Sequence, residues 1–177
     1  MNSQNKIILI TGATSGIGLS LTEIYLKDGW TVIGIGRKIT LLKSLRDLYL
    51  EKLIIIQCDL SKKENIGETF KNILEKYPTL NSFIFNAGIY KTDDFDTFTE
   101  ESIEETFNIN LLSVYRSLLE IRNRLKEPNQ SLIAIVSSVA GYRGLPKSIS
   151  YGPTKAALIN LAEALKVDTA KYQVDVK

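Results

Sequence analysis

Five short runs rich in Ile and Val punctuate this chain, and longer amphipathic stretches separate them. The runs are 6–11 (KIILIT), 31–36 (TVIGIG), 53–57 (LIIIQ), 82–86 (SFIFN) and 131–138 (SLIAIVSS). Their apolar character is nearly continuous, not alternating, which predicts parallel strands buried on both faces. Between them the spacing changes to that of helices. Ile17, Leu21 and Ile24 predict a helix that ends at Gly29, and shorter helices are expected near 39–50 and 62–76. Phe107, Leu111, Val114, Leu118, Ile121 and Leu125 form one apolar stripe over 103–126, stopped by Pro128 and Asn129. A last helix is expected over 151–172, and 173–177 (QVDVK) reads as the start of a sixth strand. Strands alternating with helices call for right-handed crossovers: an α/β, doubly wound parallel sheet. At 177 residues, one domain spanning 1–177 is expected.

Composition matters most through what is missing. There is no histidine, and Cys58 is the only cysteine. That removes histidine general bases, Ser-His and Cys-His nucleophile pairs, metal sites built on histidine or thiolate clusters, and internal disulfides. Any acid–base chemistry falls to Tyr, Lys, Asp or Glu. A net charge of +2 is no footprint for nucleic acid or an anionic membrane. The apolar run Ile7–Ile10 is too short for a signal peptide or a membrane span. A soluble, cytoplasmic protein without metal, membrane or nucleic-acid partner is expected.

Thr11–Gly18 (TGATSGIG) lies directly between the first strand and the first helix. Glycines there permit a tight turn and close approach of a pyrophosphate to the backbone, and the helix N-terminus offers N–H groups and a positive dipole end. The second strand ends at Gly36-Arg37-Lys38, where a carboxylate for the ribose hydroxyls of NAD would otherwise stand. A glycine leaves space and Arg37 offers a planar cation, which favours the 2′-phosphate of NADP(H) over NAD(H). A solvated Arg-Lys pair is the plainer alternative. Asp59 after the third strand could accept from an adenine amino group or could simply open the next helix.

Pro153 belongs in a first helical turn, so the last helix starts near Ser150. Tyr151 and Lys155 then share one face, one turn apart. An ammonium beside a phenol favours the phenolate, so the pair can move a proton without histidine. Ligands of open parallel sheets bind beyond the carboxyl ends of the strands. Ser137 and Ser138, Asn86-Ala87-Gly88 and the glycine loop all sit at such ends. Asn110 is a polar residue on or beside the apolar stripe, read either as a boundary residue that bends the helix or as a buried amide holding a water near the site.

Taken together, TGATSGIG at 11–18, Asp59, NAG at 86–88, Asn110, SSVAG at 137–141 and YGPTK at 151–155 resemble the short-chain dehydrogenase/reductase family along the whole chain. The resemblance implies a Rossmann-like sheet of order 3-2-1-4-5 with the sixth strand only begun. It implies an oxidoreductase that interconverts a small-molecule carbonyl and a secondary alcohol. Asn110, Ser138, Tyr151 and Lys155 would be its catalytic tetrad, Ser138 being the serine thirteen residues before the tyrosine. Thr11, Gly12, Ser15, Gly16, Ile17, Gly18, Arg37, Asp59, Leu60, Asn86, Ala87 and Gly88, with Tyr151 and Lys155, would meet the cofactor. Self-association through helices 103–126 and 151–172 is the family's habit. Three departures stand out. Phe85 precedes NAG where a second Asn is common, Ser15 stands where some NADP-preferring members carry a basic residue, and the family's C-terminal substrate-binding segment is absent. The last departure raises the alternative of a truncated, non-catalytic nucleotide-binding or interaction protein. It also predicts an unprotected edge at the fifth strand, poor solubility, weak nucleotide binding and negligible turnover.

Overall fold

A computed structural model describes residues 6–127 and 130–177; Pro128 and Asn129, expected to stop a helix, lie outside the described residues. Six parallel strands form one sheet: β1 (Ile7–Thr11), β2 (Thr31–Gly36), β3 (Leu53–Gln57), β4 (Ser82–Phe85), β5 (Ser131–Ile135) and β6 (Val174–Val176). Their order is β3-β2-β1-β4-β5-β6. The central strands are buried along nearly their whole length, as the unbroken apolar runs require.

Among the described residues, six α-helices, α1 (Gly16–Lys27), α2 (Thr40–Tyr49), α3 (Lys63–Lys76), α4 (Glu100–Phe107), α5 (Ser113–Ile121) and α6 (Tyr151–Asp168), cover the two faces. Alternation along β1 divides the core. Leu9 joins Phe70, Phe83, Leu118 and Leu158 under α3, α5 and α6. Ile8 and Ile10 point the other way, with Leu26 and Leu42 of α1 and α2.

Three expectations are corrected. The helix over 103–126 is not one regular cylinder. α4 and α5 are joined by a wider π-type turn at Asn108–Leu112, and a short 3-10 turn follows at Arg124–Lys126. α4 begins at a reciprocal cap, Thr99 Oγ1 accepting from the Ser102 N–H and Ser102 Oγ from the Thr99 N–H, each at 3.1 Å. α4 and the wide turn pack on α6, whereas α5 packs on α3. In α1 the buried residues are Gly18, Thr22 and Leu26, while Ile17 and Ile24 of the expected stripe face solvent. Finally, β5 is not an unprotected edge. β6 pairs with it from Ser131 to Ile133, and the Lys177 carbonyl accepts from the Ile135 N–H at 3.0 Å. β5 still leaves Leu132 and Ala134 only half-buried, on the face away from α6.

Candidate active site

The turn from β1 to α1 is shaped by contact as much as by conformation. Gly12 and Gly16 adopt left-handed φ values of +68° and +50°. A Cβ on Gly18 would lie 2.1 Å from the Gly12 carbonyl oxygen, so α1 can begin this close to the loop only with glycine there. Asn86 Nδ2 donates to the Thr11 and Gly12 carbonyls at 3.2 and 3.1 Å, fastening the loop to the end of β4. Thr11, expected at the cofactor, is buried, and its hydroxyl accepts the Asn86 and Ala87 N–H groups. It therefore braces the loop from behind. Ser15 precedes α1 without capping it, which leaves the first-turn N–H groups and the positive helix end without a cap from that side chain.

At the end of β2, Arg37 borders the cleft beside the glycine loop. The reason for Gly36 differs from the one expected. A Cβ there would sit 2.4 Å from the Thr14 γ-methyl, so the glycine admits Thr14 of the loop rather than leaving room for a ligand. Asp59 Oδ1 accepts from the Ser61 N–H at 3.0 Å and hydroxyl at 2.8 Å. Partial burial pushes the Asp59 carboxyl up. The Ser61 bonds and the Arg37 and Lys62 charges outweigh that and hold it below the ordinary carboxylate value.

At the opposite end, Tyr151 and Lys155 open α6. Lys155 is almost wholly buried, its Nζ donates to the Val136 carbonyl at 2.8 Å, and it lies 5.6 Å from the Tyr151 ring centre. Burial drags the Lys155 ammonium down from 10.5 to about 8. Ser137 Oγ donates to the Lys155 carbonyl at 2.8 Å, anchoring α6 on the end of β5. Ser138 is half-buried and its hydroxyl oxygen accepts the Ala140 N–H at 3.2 Å, which leaves its own proton free to donate. Asn110 sits on the wide turn, fully buried. Its Oδ1 accepts the Ile89 N–H at 2.7 Å, and its Nδ2 donates to the Ile89 carbonyl at 2.9 Å and to Thr154 Oγ1 at 3.3 Å. It pins the chain just beyond Gly88.

Most of these groups share one cleft of about 710 Å³ along the carboxyl ends of the strands. Of the expected residues, Gly12, Ser15, Ile17, Arg37, Asp59, Leu60, Asn86, Ala87, Gly88, Tyr151 and Lys155 line it. Thr11 and Gly18 support it from behind, Gly16 lies exposed at the start of α1 and Asn110 is buried beside it; of the two serines after β5, Ser137 lines the cleft and Ser138 does not. Sequence reasoning missed Tyr90, whose ring meets the Tyr151 ring edge-on at 4.9 Å. It also missed Thr14, Ile109 and Val136 in the wall. Tyr90 follows NAG by two residues, the one signal that could have marked it.

A family model described as short chain dehydrogenase matches residues 6–177. The chain belongs to the short-chain dehydrogenase family. A 3beta-hydroxysteroid dehydrogenase of Mediterraneibacter gnavus is 34% identical over 169 residues, covering 93% of this chain and 61% of that protein. A short-chain dehydrogenase from Streptomyces avermitilis superposes with a TM-score of 0.93 at 27% identity, over 98% of this chain and 64% of that one. ElxO, solved with NADP bound, superposes with a TM-score of 0.89 at 28% identity, over 98% of this chain and 71% of its own. The chain thus spans a little under two thirds of the first two relatives' length. Among the described residues, no helix is long and apolar enough to cross a membrane.

Proposed function

We propose that this short-chain dehydrogenase binds NADP(H) and interconverts a carbonyl and a secondary alcohol. One observation carries the reading: Tyr151 and the buried Lys155 share a cleft with a glycine loop that leads into an uncapped helix N-terminus. That cleft fits a dinucleotide by its donors. The loop backbone and the start of α1 would take the pyrophosphate, Arg37 the 2′-phosphate and Asp59 the adenine end. Lys155, with Asn86 and Gly88 opposite, would hold the nicotinamide ribose. When bound, the nicotinamide supplies or accepts the hydride.

The chain's own part is proton transfer. In reduction the Tyr151 phenol gives its proton to the oxygen of the former carbonyl; in oxidation the phenolate takes it back. The Lys155 charge stabilises that phenolate. Ser138, with a proton to donate, stabilises negative charge growing on the substrate oxygen. Asn110 keeps the floor of the site in register through Ile89. The hydroxysteroid dehydrogenase among the relatives and the exposed Val139 and Tyr142 beyond β5 support an apolar substrate. Leu112, Tyr115 and Leu119 stand exposed at helical spacing, which supports self-association through this helix.

The test is Tyr151→Phe, made in a protein that carries the complete family fold, in an NADPH oxidation assay with a panel of ketones and aldehydes. Turnover should fall roughly 100-fold or more, with NADPH affinity unchanged. Turnover within a few-fold of the parent overturns the reading.

A further inference from the structure

Three residues beyond Tyr90, the neighbour of Tyr151, the chain buries an acid that the proposed chemistry does not use. Asp93 is 3% exposed, and Ser150 beside it is 1% exposed. Both Asp93 carboxylate oxygens accept the Ser150 N–H, at 3.1 and 3.2 Å, and Oδ2 also accepts the Ser150 hydroxyl. Among the described residues, no ion pair involves Asp93. A buried carboxylate with no cation beside it is expensive and persists only where its hydrogen bonds compensate.

The position of this contact gives it meaning. Ser150 is the residue before α6 and does not cap the helix with its own side chain. Its N–H and hydroxyl turn instead to a carboxylate from the loop that follows β4. That carboxylate also sits at the positive end of an 18-residue helix. The same loop touches the start of α6 at further points. Tyr90 packs edge-on against the Tyr151 ring, its hydroxyl donates to the Lys147 carbonyl at 3.2 Å, and the Asp93 N–H donates to that carbonyl at 3.4 Å. Lys147 holds a left-handed φ of +58°, which these two donors help to fix. The root of the loop is fixed by Asn110 through Ile89.

We propose that Asp93 is a positioning residue for Tyr151. It ties the first residue of α6 to a loop already pinned beside the cleft, so the phenol is aimed from outside its own helix. The proposal rests on the acid–base role assigned to Tyr151 above.

The test measures kcat and KM for carbonyl reduction, NADPH affinity and Tm in a protein that carries the complete family fold, for the parent, Asp93→Ala, Asp93→Asn and Ser150→Ala. Asp93→Ala should lower kcat about tenfold or more, since small misplacements of a reacting group are costly. The KM for the carbonyl and the NADPH affinity should stay within about twofold of the parent. Asp93→Asn, whose amide oxygen still accepts the Ser150 N–H, should recover kcat to within about threefold. An unchanged kcat in Asp93→Ala overturns the proposal, as does a Tm loss with full activity in the folded fraction. Should Asp93→Ala fail to fold, Ser150→Ala decides: it keeps the N–H donor and loses the hydroxyl, and an unchanged kcat there overturns the proposal. A parent inert on every carbonyl overturns the functional reading and this proposal with it. An active parent with indifferent variants overturns this proposal alone.

Discussion

Lys155 should make the stability of the nucleotide-free protein depend on pH in an unusual direction. Burial lowers its ammonium from 10.5 to about 8, and its Nζ donates to the Val136 carbonyl. Below about pH 8 the lysine is charged in both the folded and unfolded chain, and the full burial penalty is present. Between about 8 and 10.5 the folded lysine gives up its proton while the unfolded one keeps it. The unfolded state then binds more protons, so unfolding free energy rises with pH. The whole shift corresponds to about 3 kcal/mol, and the part crossed between about pH 7.5 and 9.5 is about 2 kcal/mol. Urea unfolding at those two values, in the parent and in Lys155→Met, isolates it. The parent should gain about 2 kcal/mol more than the variant, because other titrating groups are common to both. Parallel pH dependence in the two proteins would refute the reasoning, and a parent that loses stability relative to the variant would reverse its sign.

Four further outcomes follow from the same geometry. Gly18→Ala places a Cβ 2.1 Å from the Gly12 carbonyl, so denaturant unfolding should show a loss of about 2 kcal/mol or more and NADPH binding should collapse. Arg37→Ala should erase most of an NADPH-over-NADH preference of roughly 10- to 150-fold, measured by titration of each nucleotide. Asn110→Leu leaves the Ile89 N–H and carbonyl without partners and should cost about 2–4 kcal/mol in urea unfolding. Removing residues 174–177 strips the ladder from β5 and should produce aggregation visible by light scattering.

The sheet was legible because its evidence is local and repeated: five unbroken apolar runs have few other homes than strands covered on both faces. Tyr151 and Lys155 were legible because Pro153 sets the helix start. Other features depend on contacts that leave no local mark. The exposure of Ile17 and Ile24 follows from Gly18, which lets α1 lie against the loop and turns the Thr22 side of the helix inward. Gly36 reads as space for a ligand until the structure places Thr14 against it. Asp93 and Ser150 are an ordinary acid and an ordinary hydroxyl, 57 residues apart, and only the fold makes them partners. The wide turn at Asn108–Leu112 escaped because its apolar spacing continues almost unbroken from Phe107 to Leu125.

That wide turn solves a problem of phase. One residue of α-helix is about 100° of rotation, so a single straight helix shows one partner a fixed stripe. Taking up an extra residue at 108–112 turns the following half about its axis. The first half can then face α6 and the second can face α3 without a break in the chain. The offset also brings Asn110 inward at the seam. A one-residue deletion here would close the wide turn into a regular one, leaving each half facing its present partner but removing the local widening that sets Asn110 against Ile89. The layers could still pack, yet the floor of the cleft would lose its fastening, which makes the seam a place where folding and chemistry can be separated by a single codon.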